Sequence, residues 1–299
     1  MLAAMKSLYW HEVALRDGLQ NEAKVLPLEH KLQLMQHLVA AKPDSIEITS
    51  FVRPDRVPQL ADAEDLCRAL PDQEWVQKAR AEGMQFTGLA ANMRGLERLL
   101  QADLDSVTMV VSATESHSKS NVGMTKAQAA ATAEELIRTA KQEGLFVRSY
   151  LSMSYVCPFE GPVEPQPVLD LLQALHEWGA DVLLPADTLG SAEPQAVGKL
   201  LGLAQDLLPD AVFGMHLHNT HGRALENCQV AWERGVRYFD AAAGGTGGCP
   251  FAPGAAGNLD SASFLEWAAS NGADVPWDPN QNPANSGLAA AEALLREQL

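Results

Sequence analysis

Short apolar runs rich in β-branched residues recur along the chain, over residues 8–14, 45–51, 84–90, 106–111, 146–151, 181–185, 212–217 and 236–241. Between them the apolar positions follow the period of an amphipathic helix, most clearly over 28–41, 125–143, 167–178, 194–207 and 222–234. Proline opens several of these stretches and glycine closes several, as helix ends favour. Strands separated by helices pair in parallel. Eight such units with no linker and no break in composition predict an α/β protein, one (β/α)8 or TIM barrel spanning residues 1–299, with an open doubly wound sheet as the alternative. A glycine-rich loop over 244–257 and a final Ala-rich helix over 285–299 complete the expected layout.

A barrel builds its chemistry at the carboxyl ends of its strands. The polar residues fall there. The first run leads to Arg16 and Asp17, the second carries Glu47 and reaches Ser50, and the sixth leads into Asp187 and Thr188. The seventh ends in His216-Leu217-His218, and the eighth enters the glycine-rich loop with Cys249 inside it and Asn258 just beyond. Two residues apart on a strand, His216 and His218 point to one face, so two imidazoles can share an ion. A carboxylate from Asp17 and an amide oxygen from Asn258 would add the hard ligands of an open site, which suits Mg²⁺ or Mn²⁺, with Zn²⁺ or Co²⁺ as further candidates.

Arg16 and Asp17 point oppositely on a regular strand, but a strand-to-loop junction can turn both to the mouth. Arg16 would then steady a developing enolate oxygen while Asp17 holds the ion. Glu47, a charge between Ile46 and Ile48, needs a partner when buried, and Arg16 is the candidate. Cys249, among glycines and before Pro250, is placed to give or take a proton. Cys67 and Cys228 fall on helical stretches as core residues, and Cys157 shapes the rim after the fifth strand.

Composition narrows the partners. With 22 basic and 38 acidic side chains the net charge is −16, which argues against phosphate-led binding to nucleic acid or to an anionic membrane. No apolar run approaches the roughly 18 residues that span a bilayer. These features lead us to expect a cytoplasmic protein. The four cysteines form no CxxC pair, so free thiols are expected. The glycine loop lacks the order of a nucleotide-binding fingerprint. No self-complementary stripe marks a subunit contact, which leaves a homo-oligomer as one expected state.

Several segments together resemble a known family. They are Glu12-Val13-Ala14-Leu15-Arg16-Asp17-Gly18-Leu19-Gln20-Asn21-Glu22, Ile46-Glu47-Ile48-Thr49-Ser50-Phe51, Cys157-Pro158-Phe159-Glu160-Gly161, Asp187-Thr188-Leu189-Gly190, His216-Leu217-His218-Asn219-Thr220 and Gly247-Gly248-Cys249-Pro250-Phe251-Ala252. The chain resembles the 3-hydroxy-3-methylglutaryl-CoA lyase branch of the metal-dependent lyase and condensing-enzyme barrels.

That resemblance implies Asp17, His216, His218 and Asn258 as metal ligands, Arg16 as enolate stabiliser supported by Glu47, and Cys249 as the acid. Asp17 and His216 are both candidates for the base. It further implies that Ser50, Asn121, Asp187 and Thr188 line the approach of an acyl-CoA. The reaction implied is retro-Claisen cleavage of a 3-hydroxy-3-methylglutaryl-CoA-like thioester to acetyl-CoA and a 3-keto acid. Another branched 3-hydroxy acid or acyl-CoA is the related alternative, and a non-catalytic metal- or acyl-CoA-binding barrel is the reading from a different class. Lys119 and Arg53 are candidates to offset the acidic charge beside an anionic cofactor arm.

The chain departs from the family pattern at Ala23, at Arg53-Pro54-Asp55-Arg56, at Pro185-Ala186, at Thr246 and near Ala262. The bond-breaking positions are kept while several substrate-facing ones change.

Overall fold

Each of the eight apolar runs becomes a strand, because alternate side chains can be buried on both faces only where helices cover the outside. The computed structural model describes residues 8–248, 257–276 and 287–299. In chain order the elements are β1 (Tyr9–Glu12), α1 (Leu28–Ala40), β2 (Ser45–Ser50), α2 (Ala63–Ala69), α3 (Glu74–Ala81), β3 (Gln85–Leu89), α4 (Met93–Gln101), β4 (Ser106–Ser112), α5 (Glu115–Val122), α6 (Lys126–Gln142) and β5 (Phe146–Ser152). A two-stranded hairpin of β6 (Val156–Cys157) and β7 (Gly161–Pro162) follows, then α7 (Pro165–Trp178), β8 (Val182–Asp187), α8 (Pro194–Leu207), β9 (Gly214–Leu217), α9 (Ala224–Glu233), β10 (Tyr238–Ala241), α10 (Ser261–Ser270) and α11 (Gly287–Gln298).

Eight parallel strands close a ring in the order β1-β10-β9-β8-β5-β4-β3-β2, so the fold is a TIM barrel and not an open sheet. Its apolar core lies mainly between strands and helices. Val147 and Leu151 of β5 belong to that layer, whereas Arg148 and Tyr150 of the same strand reach Asp240 of β10. Because β5 and β10 are not neighbours in the ring, those contacts cross the lumen. The interior of the barrel is therefore partly polar.

One boundary differs from the sequence reading in a way that matters. β1 stops at Glu12 rather than running to residue 14, and the junction that follows, Ala14–Gly18, is a single π-helical turn. Glu12 causes the bend: its Oε1 accepts the Ala14 N–H at 2.9 Å, and the Gly18 N–H then closes onto Val13 O at 3.1 Å. The same Oε1 accepts the Ala243 N–H at 3.0 Å, while Oε2 accepts the Ser261 hydroxyl at 2.6 Å. One buried carboxylate thus ties the first active-site turn to the segment after β10.

Burial pushes the Glu12 carboxyl up to about 7, against the pull of its hydrogen bonds to Ser261, Ala14 and Ala243. A carboxyl whose folded pKa exceeds its unfolded value binds its proton more tightly when folded. Stability is then lost as pH rises from about 4.5 through 7, by an amount on the order of 3 kcal/mol. Glu12→Gln mimics the protonated form, with an oxygen for the two N–H groups and an NH₂ for Ser261. In urea unfolding the variant should match the wild type near pH 5 and exceed it at pH 8.

Candidate active site

The π-helical turn solves the problem that Arg16 and Asp17 would oppose each other on a strand. Both side chains are buried at the carboxyl-end mouth. Arg16 Nη1 donates to Asp17 Oδ1 at 2.5 Å, and Arg16 Nε donates to Glu47 Oε2 at 2.5 Å. Glu47, fully buried on β2, has the partner expected of it. Burial works against the Arg16 charge, but Glu47 and Asp17 outweigh it and push the guanidinium pKa up. Arg16 stays cationic.

Asp17 is the centre of the cluster. Its Oδ1 also accepts Gln20 Nε2 at 2.6 Å, and its Oδ2 accepts Asn258 Nδ2 at 2.7 Å. His218 Nε2 and His216 Nε2 lie 3.6 and 3.9 Å from that same Oδ2. One ligand atom each from Asp17, His216 and His218 falls within 4.8 Å of the others, a spacing that one ion bonded at about 2.0–2.3 Å can bridge. The donor set of two imidazole nitrogens and a carboxylate oxygen fits a divalent cation with open positions. Burial would raise the Asp17 carboxyl; Arg16, His218 and His216 outweigh it and hold it well below the usual carboxylate range. Of the two candidate bases, His216 has Nδ1 engaged with Asp240 and Nε2 turned to the ion position, so the Asp17 carboxylate, with lone pairs to spare, is the better placed.

Asn258 reaches the site on a short segment threaded between the ends of β9 and β10. Leu259 N–H donates to Leu217 O at 3.0 Å, and Ala242 N–H donates to Leu259 O at 2.9 Å. As placed, its amide nitrogen donates to Asp17 and to Thr246 O at 2.9 Å. An ion would be met by the amide oxygen, so ligation requires the amide to turn over.

Gly247, at φ 101°, lies against this pair: a Cβ there would sit 2.7 Å from Asn258 Nδ2 and 3.0 Å from Asp17 O. Gly247→Ala combines a left-handed backbone that L residues disfavour with a displaced Asn258. It should weaken Mn²⁺ binding, measured by titration, while the barrel melts cooperatively as before.

The residues expected to line the acyl-CoA approach are more dispersed. Ser50 is buried at the end of β2, and Asn121 is exposed on α5. The Asp187 carboxylate accepts the N–H groups of Ser191 and Ala192, both at 3.0 Å, and so shapes the loop into α8. Thr188 Oγ1 accepts Met153 N–H at 3.3 Å. Lys119 and Arg53 are exposed and form surface pairs with Glu115 and Asp55. Cys249 lies outside the described residues. Cys67 on α2 and Cys228 on α9 are buried, and burial pushes Cys67 up to about 12 and Cys228 higher than its ordinary value. Cys157, in the hairpin, is buried and accepts the Thr114 hydroxyl at 3.2 Å.

Sequence reading missed Gln20, Arg148, Tyr150 and Asp240. For Arg148 and Asp240 a signal existed, because they are charges inside apolar strand runs, the same feature that singles out Glu47. A cavity of about 170 Å³ opens at the opposite end of the barrel, lined by Tyr9, His11, Arg148 and Tyr238 among others, and includes none of the mouth cluster.

Fold and site together define a TIM barrel whose carboxyl-end rim presents an aspartate and two histidines able to share a metal ion. The HMGL-like family model matches residues 7–282, and the chain belongs to that family. An (R)-citramalyl-CoA lyase from Chloroflexus aurantiacus is 37% identical over 267 residues, covering 89% of this chain and 84% of that protein. The crystal structure of an HMG-CoA lyase from Brucella melitensis superimposes with a TM-score of 0.89 at 35% identity, covering 98% of both chains. An HMG-CoA lyase from Acinetobacter baumannii, in complex with coenzyme A and 3-methylmalate, gives 0.86 at 31% identity and covers 100% of this chain and 93% of that one. Among the described residues no helix is long and apolar enough to cross a membrane.

Proposed function

We propose that this chain cleaves a branched 3-hydroxyacyl-CoA by a retro-Claisen reaction, releasing acetyl-CoA and a keto acid, with 3-hydroxy-3-methylglutaryl-CoA as the leading substrate. It is an enzyme of the carbon–carbon lyase class. The observation that carries the reading is the meeting of Arg16, Asp17, His216 and His218 at the mouth. In it Asp17, His216, His218 and the turned amide of Asn258 hold a divalent cation, Mg²⁺ or Mn²⁺. When bound, that ion acidifies the substrate hydroxyl and orients the acyl group.

The chain's own residues then do the following. With Nε2 of His216 toward the ion and its Nδ1 engaged with Asp240, the Asp17 carboxylate is the group left to take the hydroxyl proton. The electron pair of the O–H bond becomes the new carbonyl, the Cα–Cβ bond breaks, and its pair passes to the thioester as an enolate. Arg16, held cationic and immobile by Glu47, faces that developing charge. Cys249 returns a proton to the enolate carbon, completing acetyl-CoA. Ser50, Asn121, Asp187 and Thr188 stand for the acyl-CoA path, and the A. baumannii enzyme's complex with coenzyme A and 3-methylmalate supports a CoA-linked substrate.

A second reading is favoured by the similarity to a citramalyl-CoA lyase and by the altered Pro185-Ala186 and Arg53–Arg56 positions. A substrate one methylene shorter would release a 2-keto acid instead of a 3-keto acid. Incubating the Mg²⁺- or Mn²⁺-loaded protein with both thioesters and identifying products by mass tests both readings. Acetyl-CoA should form from at least one of them and cease with EDTA; no acetyl-CoA from either, with the ion bound, rejects the proposal.

A further inference from the structure

His216 is gripped from behind, and His218 is not. Asp240, buried on β10, receives three donors from other strands: Arg148 Nη2 at 2.7 Å on Oδ1, and the Tyr150 hydroxyl at 2.5 Å with His216 Nδ1 at 3.2 Å on Oδ2. The Tyr150 ring stands edge-on to the His216 ring, with centroids 5.3 Å apart and planes at 73°. By contrast, His218 Nδ1 is buried and has no hydrogen-bond partner among the described residues. The two imidazoles face the same Asp17 oxygen with different degrees of preparation.

We propose that Asp240 is a positioning residue for the candidate ion site, fixing His216 as the Nδ1–H tautomer so that the bare Nε2 faces Asp17. An ionised carboxylate only accepts hydrogen bonds, so the proton between it and His216 resides on Nδ1. Arg148, a permanent cation, sits on Asp240 Oδ1 at 2.7 Å with both groups buried, which pairs the carboxylate as an anion. The Tyr150 ring blocks rotation of the imidazole about its bond to the chain. This arrangement matches the carboxylate–histidine–metal pattern, in which the partner behind a ligating imidazole sets both its orientation and its donor strength. A pair formed for stability alone would need only Arg148 and Asp240. The inference rests on the ion-site half of the proposed function and not on which thioester is cleaved.

The test compares wild type with Asp240→Asn in two measurements made without substrate. Side-chain ¹⁵N resonances of His216 report the tautomer in the metal-free protein, and Mn²⁺ titration followed by electron paramagnetic resonance reports affinity. The wild type should show the Nδ1–H form, and Asp240→Asn should lose that signature and bind Mn²⁺ about 10- to 100-fold more weakly. Tyr150→Phe keeps the carboxylate and its Arg148 pair, so its tautomer should persist and its affinity should stay within about threefold of wild type. If Asp240→Asn does not fold because Arg148 is left unpaired, Arg148→Met/Asp240→Asn removes the stranded cation and is read the same way. Wild-type tautomer or wild-type Mn²⁺ affinity in the folded Asp240 variant overturns the proposal. An inactive enzyme that shows both expected changes refutes the proposed reaction and leaves the role of Asp240 standing.

Discussion

Arg16→Met should cut turnover by about 10²- to 10³-fold, the loss typical of removing one donor to a developing oxyanion. The same substitution should also cost stability, about 3–5 kcal/mol, because it strands Glu47 as an unpaired buried charge. These two effects can be separated. In Arg16→Met/Glu47→Leu both members of the buried pair become apolar, and replacing a whole buried ion pair is often neutral. Urea unfolding of the double variant should recover the share of the loss due to Glu47, while Asp17, the other buried partner of Arg16, stays without that donor. Acetyl-CoA release should stay as low as in the single variant, since nothing restores a cation facing the enolate. A double variant that turns over like wild type would reduce Arg16 to a structural partner of Glu47.

Asp17→Asn should abolish ion binding in the micromolar range, with affinity falling by more than the roughly 100-fold seen when an outer partner of a ligand is removed. The neutral amide keeps the shape but offers one acceptor oxygen where the carboxylate offers two. Arg16, Gln20 and Asn258 all donate to Asp17, so at least one of them must lose its acceptor. Both changes act against the same cluster, one on the ion and one on the frame around it. Calorimetric titration with Mn²⁺ measures the first, and acetyl-CoA release at saturating Mn²⁺ measures what remains. Retention of wild-type affinity would show that the ion is held elsewhere.

Periodicity made the barrel legible because each strand is buried on both faces and each helix on one, so the two patterns alternate without overlap. Where a short stretch carried too few turns to show its period, as at α3 and α5, the helix escaped notice. His216 and His218 were readable from a spacing of two, and Glu47 from its isolation among isoleucines. The turn at Ala14–Gly18 was not readable, since it depends on Glu12 meeting Ala243 and Ser261, more than 200 residues away. Nor was the orientation of Asn258, which is set by the approach of Gly247 and the Thr246 carbonyl. Sequence thus located the candidate ligands and marked Arg148 and Asp240 as charges needing partners, while their meeting with each other and with Tyr150 emerges only when the ring closes and strands far apart in sequence share one lumen.

The central claim is a divalent ion shared by Asp17, His216 and His218. Crystals soaked in Mn²⁺ and measured at the manganese absorption edge test it most directly. The account predicts one anomalous peak at the barrel mouth, within bonding distance of an Asp17 oxygen and of Nε2 on both histidines. Full Mn²⁺ occupancy elsewhere, with no peak between those three side chains, would contradict it.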